Sequence, residues 1–326
     1  MPRLKRQIAL ENVSLGNPIT INLPRNYAYR SLTLRLAGSI TVAGGSTSGT
    51  PYLAGCAKLI NRVSIRRDGK DTVVDLTGED LYILNKMLYK TAVQELNLPN
   101  GDANANQAVN VTLRVPFENL LGIKPFDTLL QSVGLSSLDM IIEVNSAASA
   151  VIDGGDRTVS VGTTAFTLTV TSDEETGVAN FNFGNIRLYK AQSVAPAGAS
   201  NAFQIKPISV GNMYKGFLLI TKAAATAGDL DSAVVDNIKL KSGSESFVDV
   251  KASTIQGENK IDQQLESLIA GVYYLDLMPD GRLNAALDVT PSSGRQSLEF
   301  ELVTLKAGTV DVIALEYVPP VVVNKK

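Results

Sequence analysis

Leu59-Ile-Asn-Arg-Val-Ser-Ile-Arg66 reads like Val234-Val-Asp-Asn-Ile-Lys-Leu-Lys241, at an offset of 175 residues. Val73-Val-Asp-Leu76 then matches Phe247-Val-Asp-Val250 at an offset of 174. Upstream, Tyr29-Arg-Ser-Leu32 matches Tyr214-Lys-Gly-Phe217 at 185, and downstream Leu138-Asp-Met-Ile141 matches Val310-Asp-Val-Ile313 at 172. Each match is short. They occur in one order, and loop insertions would make the offset drift. The chain reads as one unit written twice.

Most of it alternates apolar and polar residues with the period of a half-buried strand. Ile19-Thr-Ile-Asn-Leu23, Leu32-Thr-Leu-Arg-Leu36, Val109-Asn-Val-Thr-Leu-Arg-Val115, Phe166-Thr-Leu-Thr-Val170 and Leu298-Glu-Phe-Glu-Leu302 all do so. Asp68-Gly69, between Val63-Ser-Ile65 and Val73-Val74, is a hairpin signal. Two segments break the alternation. Leu81, Leu84 and Leu88 fall at helical spacing, with Thr77 as cap, Glu79 and Asp80 in the first turn, and Lys86 and Lys90 toward the end. Ile261, Leu265, Leu268 and Ile269 repeat the helical spacing after the second hairpin. Both copies therefore read as strands, a hairpin, one helix and more strands.

So many short strands exceed one open sheet, and two stacked antiparallel sheets accommodate them. The expected fold is all-β: two tandem eight-stranded jelly-roll sandwiches, each with a short helix in one long connection. The expected domains are residues 1–190, with an extra hairpin near 157–171, and residues 191–326. The region 147–191 is expected to link them, with an acidic turn at Ser172–Thr176 and a hinge at 193–200. The small-residue loop 43–56 is expected to project from the first copy.

Composition narrows the chemistry. The chain has 326 residues, enough for about two domains at roughly 150 residues each. Hydrophobic residues make up 44% and charged residues 19%, which is the balance of a folded protein. A net charge of -2 does not suggest nucleic-acid recognition. The absence of histidine removes the commonest general base and zinc ligand. Cys56 is the single cysteine, so no intrachain disulfide can form, and with no histidine to activate it the residue reads as a small buried apolar side chain. Tryptophan is also missing. No apolar run of signal-peptide length follows Met1–Arg6, and Val318–Val323 is too short to span a bilayer. The chain is expected to be made in the cytoplasm.

No residue stands out as catalytic, cofactor-binding or metal-ligating. Weaker candidates remain. Arg3, Lys5 and Arg6 are candidates for contact with anionic lipid headgroups or packaged genome, against a solvated terminus. Asp153–Asp156 and Ser172–Glu175 are candidate calcium ligands, against polar surface turns; neither fits the EF-hand pattern, so a structural calcium stays unassigned. Arg62, Arg66, Arg67 and Lys70 are candidates for pairing with acids of an adjacent subunit, against a solvated sheet face. Gly44–Gly49 lacks the lysine of a phosphate-binding loop and the spacing of a nucleophile elbow.

The order of these features resembles the double jelly-roll major capsid proteins of membrane-containing icosahedral bacteriophages, of the corticovirus type and the Flavobacterium-infecting lipid-containing phage type. Asn12–Asn17, Ile19–Pro24, Leu32–Gly38 and Ile60–Gly69 carry the resemblance in the first copy; Tyr273–Met278 and Val310–Tyr317 carry it in the second. It spans nearly the whole chain. It implies a non-enzymatic subunit that forms pseudo-hexameric homotrimers tiling an icosahedral shell around an internal membrane. The implied partners are other copies of the chain and the penton, spike and minor membrane proteins of the virion, without specific nucleic-acid recognition. The alternative classes are a β-sandwich binding module, such as a spike or carbohydrate-binding protein, and an enzyme on a double sandwich. The missing tryptophan weighs against the first, and the missing histidine against a cupin-like form of the second.

Overall fold

A computed structural model of the chain describes residues 3–44, 50–51, 54–88, 104–119, 127–148, 152–153, 158–177, 184–224, 229–278, 280–282, 285–295 and 297–319. The chain forms two compact units, Met1–Leu120 with Phe126–Phe183, and Leu121–Pro125 with Gly184–Lys326.

In the first unit the chain runs through β1 (Arg3–Val13), β2 (Pro18–Asn22), β3 (Ala28–Ala43), β4 (Thr50–Pro51), β5 (Ile60–Arg67) and β6 (Asp71–Leu76). It continues through α1 (Gly78–Leu88), β7 (Asn104–Pro116), β8 (Leu130–Gln131), β9 (Leu138–Val144), β10 (Ile152–Asp153), β11 (Thr158–Val161) and β12 (Phe166–Glu175). The second unit runs through β13 (Asn185–Val194), β14 (Ser200–Ile208), β15 (Met213–Ala223), β16 (Val235–Ser242), β17 (Glu245–Lys251) and α2 (Ala252–Asp262). It ends with β18 (Val272–Asp276), β19 (Leu287–Asp288), β20 (Leu298–Thr304) and β21 (Gly308–Val318).

Removing the short strands β4, β8, β10, β11 and β19 leaves eight strands per unit, all paired antiparallel. The first unit orders them β1-β12-β3-β7 in one sheet and β2-β9-β5-β6 in the other. The second orders them β13-β21-β15-β18 and β14-β20-β16-β17. Counted from one to eight along each unit, both read 1-8-3-6 and 2-7-4-5, with the helix between strands five and six. Both units are therefore jelly rolls with one connectivity.

Alternation places the core between each pair of sheets. Leu138, Met140, Ile142 and Val144 of β9 are buried and the residues between them are not. Leu298, Phe300 and Leu302 of β20 do the same in the second unit, where Phe217 packs on Tyr214 and edge-on to Phe300 with centroids 4.7 and 5.3 Å away. Asp68 and Gly69 both have positive φ, as a tight hairpin turn requires. Thr77 accepts from the Asp80 amide while Asp80 accepts from the Thr77 amide, each at 3.1 Å, which closes a capping box on α1.

Several expectations need correction. The expected hairpin near 157–171 is absent over the described residues 158–171, because β11 and β12 both pair with β3, the first at Ile40–Ala43 and the second at Ala28–Ala37. They are two stretches of the strand that closes the first jelly roll. Ser172–Glu175 is the end of β12 and not a turn. The stretch 193–200 is not a hinge: β13 belongs to the second unit, pairs with β21 through Val194, and leads directly to β14. The second helix lies over Ala252–Asp262, earlier than the apolar spacing suggested, and it buries Ala252, Ile255, Gln256 and Asn259. Of the four repeated motifs, three fall on equivalent strands. The fourth equates β9, a seventh strand, with β21, an eighth; a four-residue alternating run suits any buried strand. Residues 45–49, 52–53, 90, 154–157 and 320–326, on which other readings fell, lie outside the described residues.

One feature of α1 and α2 decides how each unit closes. Strands β7 and β18 lie at the edge of their sheets, where backbone groups lack a strand partner. Buried Asn85, the eighth residue of α1, donates from Nδ2 to the Arg114 carbonyl and accepts from the Arg114 amide, both at 2.7 Å. Asn259, the eighth residue of α2, does the same to Tyr274 at 2.7 and 2.8 Å. Each amide side chain stands in for a missing strand. Asn85→Ala and Asn259→Ala should each lower stability by about 2–4 kcal/mol, since each strips a buried N–H and C=O of partners. The urea midpoint by circular dichroism measures this; a change within about 0.5 kcal/mol would refute the role.

Candidate functional site

The densest cluster of charge among the described residues lies at the end of the first unit where β1 begins. Arg3 forms a forked ion pair with Asp173 through Nε, at 2.6 Å, and Nη2. Arg6 forks onto Glu174 at 3.1 Å for both bonds and lies 6.0 Å from the Tyr27 ring. Arg30 spans Glu118 at 2.7 Å and Glu175 at 3.2 Å. Arg114 reaches Glu118 at 3.2 Å and Asp173 at 3.7 Å. Four arginines and four carboxylates thus tie all four strands of one sheet together at their ends. The carboxylate side chains are at most 7% exposed. Burying them unpaired would cost several kcal/mol each.

This arrangement joins two groups that the sequence presented as unrelated. The basic start and the acidic run at 173–175 are 170 residues apart for Arg3 and Asp173, yet antiparallel pairing sets Arg3 opposite Glu175 and Arg6 opposite Ser172. Lys5 is left facing solvent. Among the described residues no group of three or more acidic or cysteine side chains is arranged to hold a metal ion. The signal missed in the sequence was Leu4-x-Arg6-x-Ile8-x-Leu10, an alternating run that marks β1 as a strand.

The second unit keeps part of this design. Tyr29 sits opposite Glu174, and Tyr214 opposite Glu316. Each tyrosine is fully buried and donates to a carbonyl five residues upstream, Tyr29 to Pro24 and Tyr214 to Ser209 at 2.6 Å. Glu316 accepts from Asn212 at 2.8 Å and lies 3.8 Å from Arg187 of β13, as Glu174 pairs with Arg6 of β1. The remainder has diverged. Strand register makes Lys215 the counterpart of Arg30, and Met278 and Tyr317 the counterparts of Glu118 and Glu175. Burial pulls the Lys215 ammonium down to about 8, with nearby Asp276 opposing the shift.

The other candidates resolve individually. Arg62 forks onto Asp75 at 2.6 and 2.9 Å and reaches Glu143 at 3.5 Å. Arg67 pairs with Asp71, its Nε 2.8 Å from the carboxylate. The buried Arg66 Nε and the buried Ser64 Oγ, two residues apart on β5, have no hydrogen-bond partner among the described residues. Asp68 takes the Ser136 amide at 2.6 Å and hydroxyl at 2.7 Å, so the basic hairpin is pinned within its own unit. Cys56 is fully buried in a short 3-10 turn, Gly55–Leu59, and burial pushes its thiol up to about 12. Open grooves of about 670 and 440 Å³ line the surface at Asn22–Asn26 with Gly134–Leu138, and at Gly16 with Asn61 and Glu143–Ser146; neither converges charged groups on an enclosed volume. Among the described residues no helix is long and apolar enough to cross a membrane.

Comparison with solved structures identifies the architecture. The major capsid protein of Sulfolobus turreted icosahedral virus aligns over 98% of both chains with a TM-score of 0.78 and 18% identity. Protein P2, the major capsid protein of bacteriophage PM2, aligns over 99% of both with a TM-score of 0.65 and 17% identity. A capsid chain of the PBCV-1 virus aligns over 97% of this chain and 93% of its own, with a TM-score of 0.60 and 12% identity. The chain shares the double jelly-roll fold of these proteins. No protein-family model matches the sequence, and no curated protein does.

Two outcomes test the site. Arg30→Ala should destabilise the first unit by about 3 kcal/mol, because Glu118 and Glu175 lose a shared buried cation, while Lys5→Ala should stay within about 0.5 kcal/mol; equal effects would contradict the network. Native Cys56 should resist maleimide at pH 8 and react once urea unfolds the protein; rapid native labelling would contradict its burial.

Proposed function

We propose that the chain is a major capsid subunit that self-assembles as pseudo-hexameric homotrimers tiling an icosahedral shell around an internal lipid membrane. The observation that carries this reading is the pair of jelly rolls with one strand order, matched along nearly the full length of capsid chains. Duplication suits the task physically. A trimer of doubled units presents six similar sandwiches around a closed ring, which fill a hexagonal lattice while each copy remains free to vary its loops.

The chain acts by assembly and not by catalysis. The four arginines and four carboxylates around the start of β1 are spent on internal ion pairs, and the Cys56 thiol is buried. Its place is the virion, and its partners are other copies of itself, with penton, spike and membrane proteins at the positions where the lattice departs from hexagonal order. Among the described residues at the start of the chain, Lys5 is the cation free for lipid headgroups, since Arg3 and Arg6 are paired with Asp173 and Glu174.

Light scattering after size exclusion tests the reading. The expected species has the mass of three chains and a hexagonal outline by negative stain. A strict monomer at all accessible concentrations would overturn it.

A further inference from the structure

Lys215 sits at a place that the first unit fills with Arg30. Along β3 the register passes from Ser31 opposite Asp173 to Tyr29 opposite Glu174, and along β15 from Gly216 opposite Leu315 to Tyr214 opposite Glu316. Each cation is thus the extra residue of a β-bulge. Their environments differ. Arg30 bridges Glu118 and Glu175. Lys215 is 1% exposed, and Met278 and Tyr317 stand where those carboxylates would be. Strand β18 sets Asp276 opposite Gly216, and Asp276 is the carboxylate that favours the charged amine. Burial pushes the Asp276 carboxyl up, and Asp262 at the end of α2 and Asp280 add to that push. On the other strands, Glu316 accepts from Asn212 at 2.8 Å and lies 3.8 Å from Arg187, while Asp288 of β19 accepts from the Thr290 amide at 2.8 Å. The Tyr274 ring lies against Gly216, its hydroxyl buried and without a hydrogen-bond partner among the described residues.

We propose that Lys215 is a built-in pH switch of the second unit, loosening the end of the β13-β21-β15-β18 sheet while it carries its proton and tightening it once the proton leaves. Taking an ammonium out of water is costly unless a carboxylate pairs closely with it. Arginine keeps its charge throughout the range in which proteins fold, so Arg30 holds its two carboxylates regardless of pH. Lysine can shed its charge, and burial brings that event into mild conditions by drawing the Lys215 ammonium down to about 8. The unfolded chain keeps the same proton up to the ordinary lysine range. Between about pH 8 and that range, the unfolded state binds a proton that the folded state does not, and stability rises with pH. At lower pH both states hold the proton, and the cost of burying the charge is felt in full. Arg30 gives the first unit no matching response, so a mild change in pH acts on one jelly roll of the pair. The switch works within one chain, whether or not that chain assembles.

Urea unfolding of the full chain and of its Lys215→Met variant, followed by circular dichroism at pH 7 and pH 9.5, tests the switch. The unfolding constant of the unaltered chain, divided by that of the variant, should fall by about tenfold or more over this interval. Taking the ratio cancels Cys56 and the buried tyrosines, which titrate alike in both proteins. A ratio independent of pH would overturn the switch. Should the variant not fold, carbon-13 NMR of the unaltered protein with labelled lysine reads the proton directly. One lysine Cε resonance should titrate with a midpoint at about pH 8, and finding every lysine in the ordinary range, at about 10.4, would overturn the switch equally.

Discussion

A sheet edge exposes a row of backbone donors and acceptors that must find partners, and this constraint shapes both units. Asn85 and Asn259 meet it by binding the edge strands β7 and β18 through both amide atoms. Fixing the helix to the edge fixes the long connection between the fifth and sixth strands, which has to cross from one sheet to the other. With that crossing held, the two sheets can stack and the alternating leucines, valines and phenylalanines meet in one core. Hydrophobic burial supplies most of the stability; the asparagine pair selects which edge the helix covers.

The two units preserve polar anchors more faithfully than apolar identities. The strand-three tyrosine with its carbonyl five residues back, the opposing glutamate on strand eight, and the helix asparagine recur at equivalent places. Core side chains interchange among Val, Ile, Leu and Phe at little cost when volume is kept. A buried hydroxyl, carboxylate or amide has few substitutes, because its geometry must satisfy a particular partner. The units diverge where such partners left together: the Arg30 network with Glu118 and Glu175 gives way to Lys215 with Met278 and Tyr317. The first unit gathers its charge at one end of a sheet, and the second leaves a less polar end there.

The difference between α1 and α2 follows the same pattern, with the anchor kept and the surroundings changed. A helix that began as a copy of another keeps its length and its anchor, yet presents acids where its twin buries leucines.

Residues with a period were legible without coordinates. Leu138-Asp-Met-Ile141 and Leu298–Leu302 announce strands, Asp68-Gly69 a hairpin, Thr77 with Leu81, Leu84 and Leu88 a capped helix, and the repeated strand-hairpin-helix order a doubled sandwich. Local sterics and burial determine such features within a few neighbouring residues, so the chain alone states them. Contacts across the chain were not legible. That β12 closes the first jelly roll, that Arg3 meets Asp173, and that Asn85 and Asn259 are twins depend on strand register across more than a hundred residues or on one side chain meeting a distant backbone. Period-two patterns are identical for every buried strand, so they say that a strand exists and not which strand it pairs with; only the folded structure, by bringing each edge and each charge to its one compatible partner, decided that.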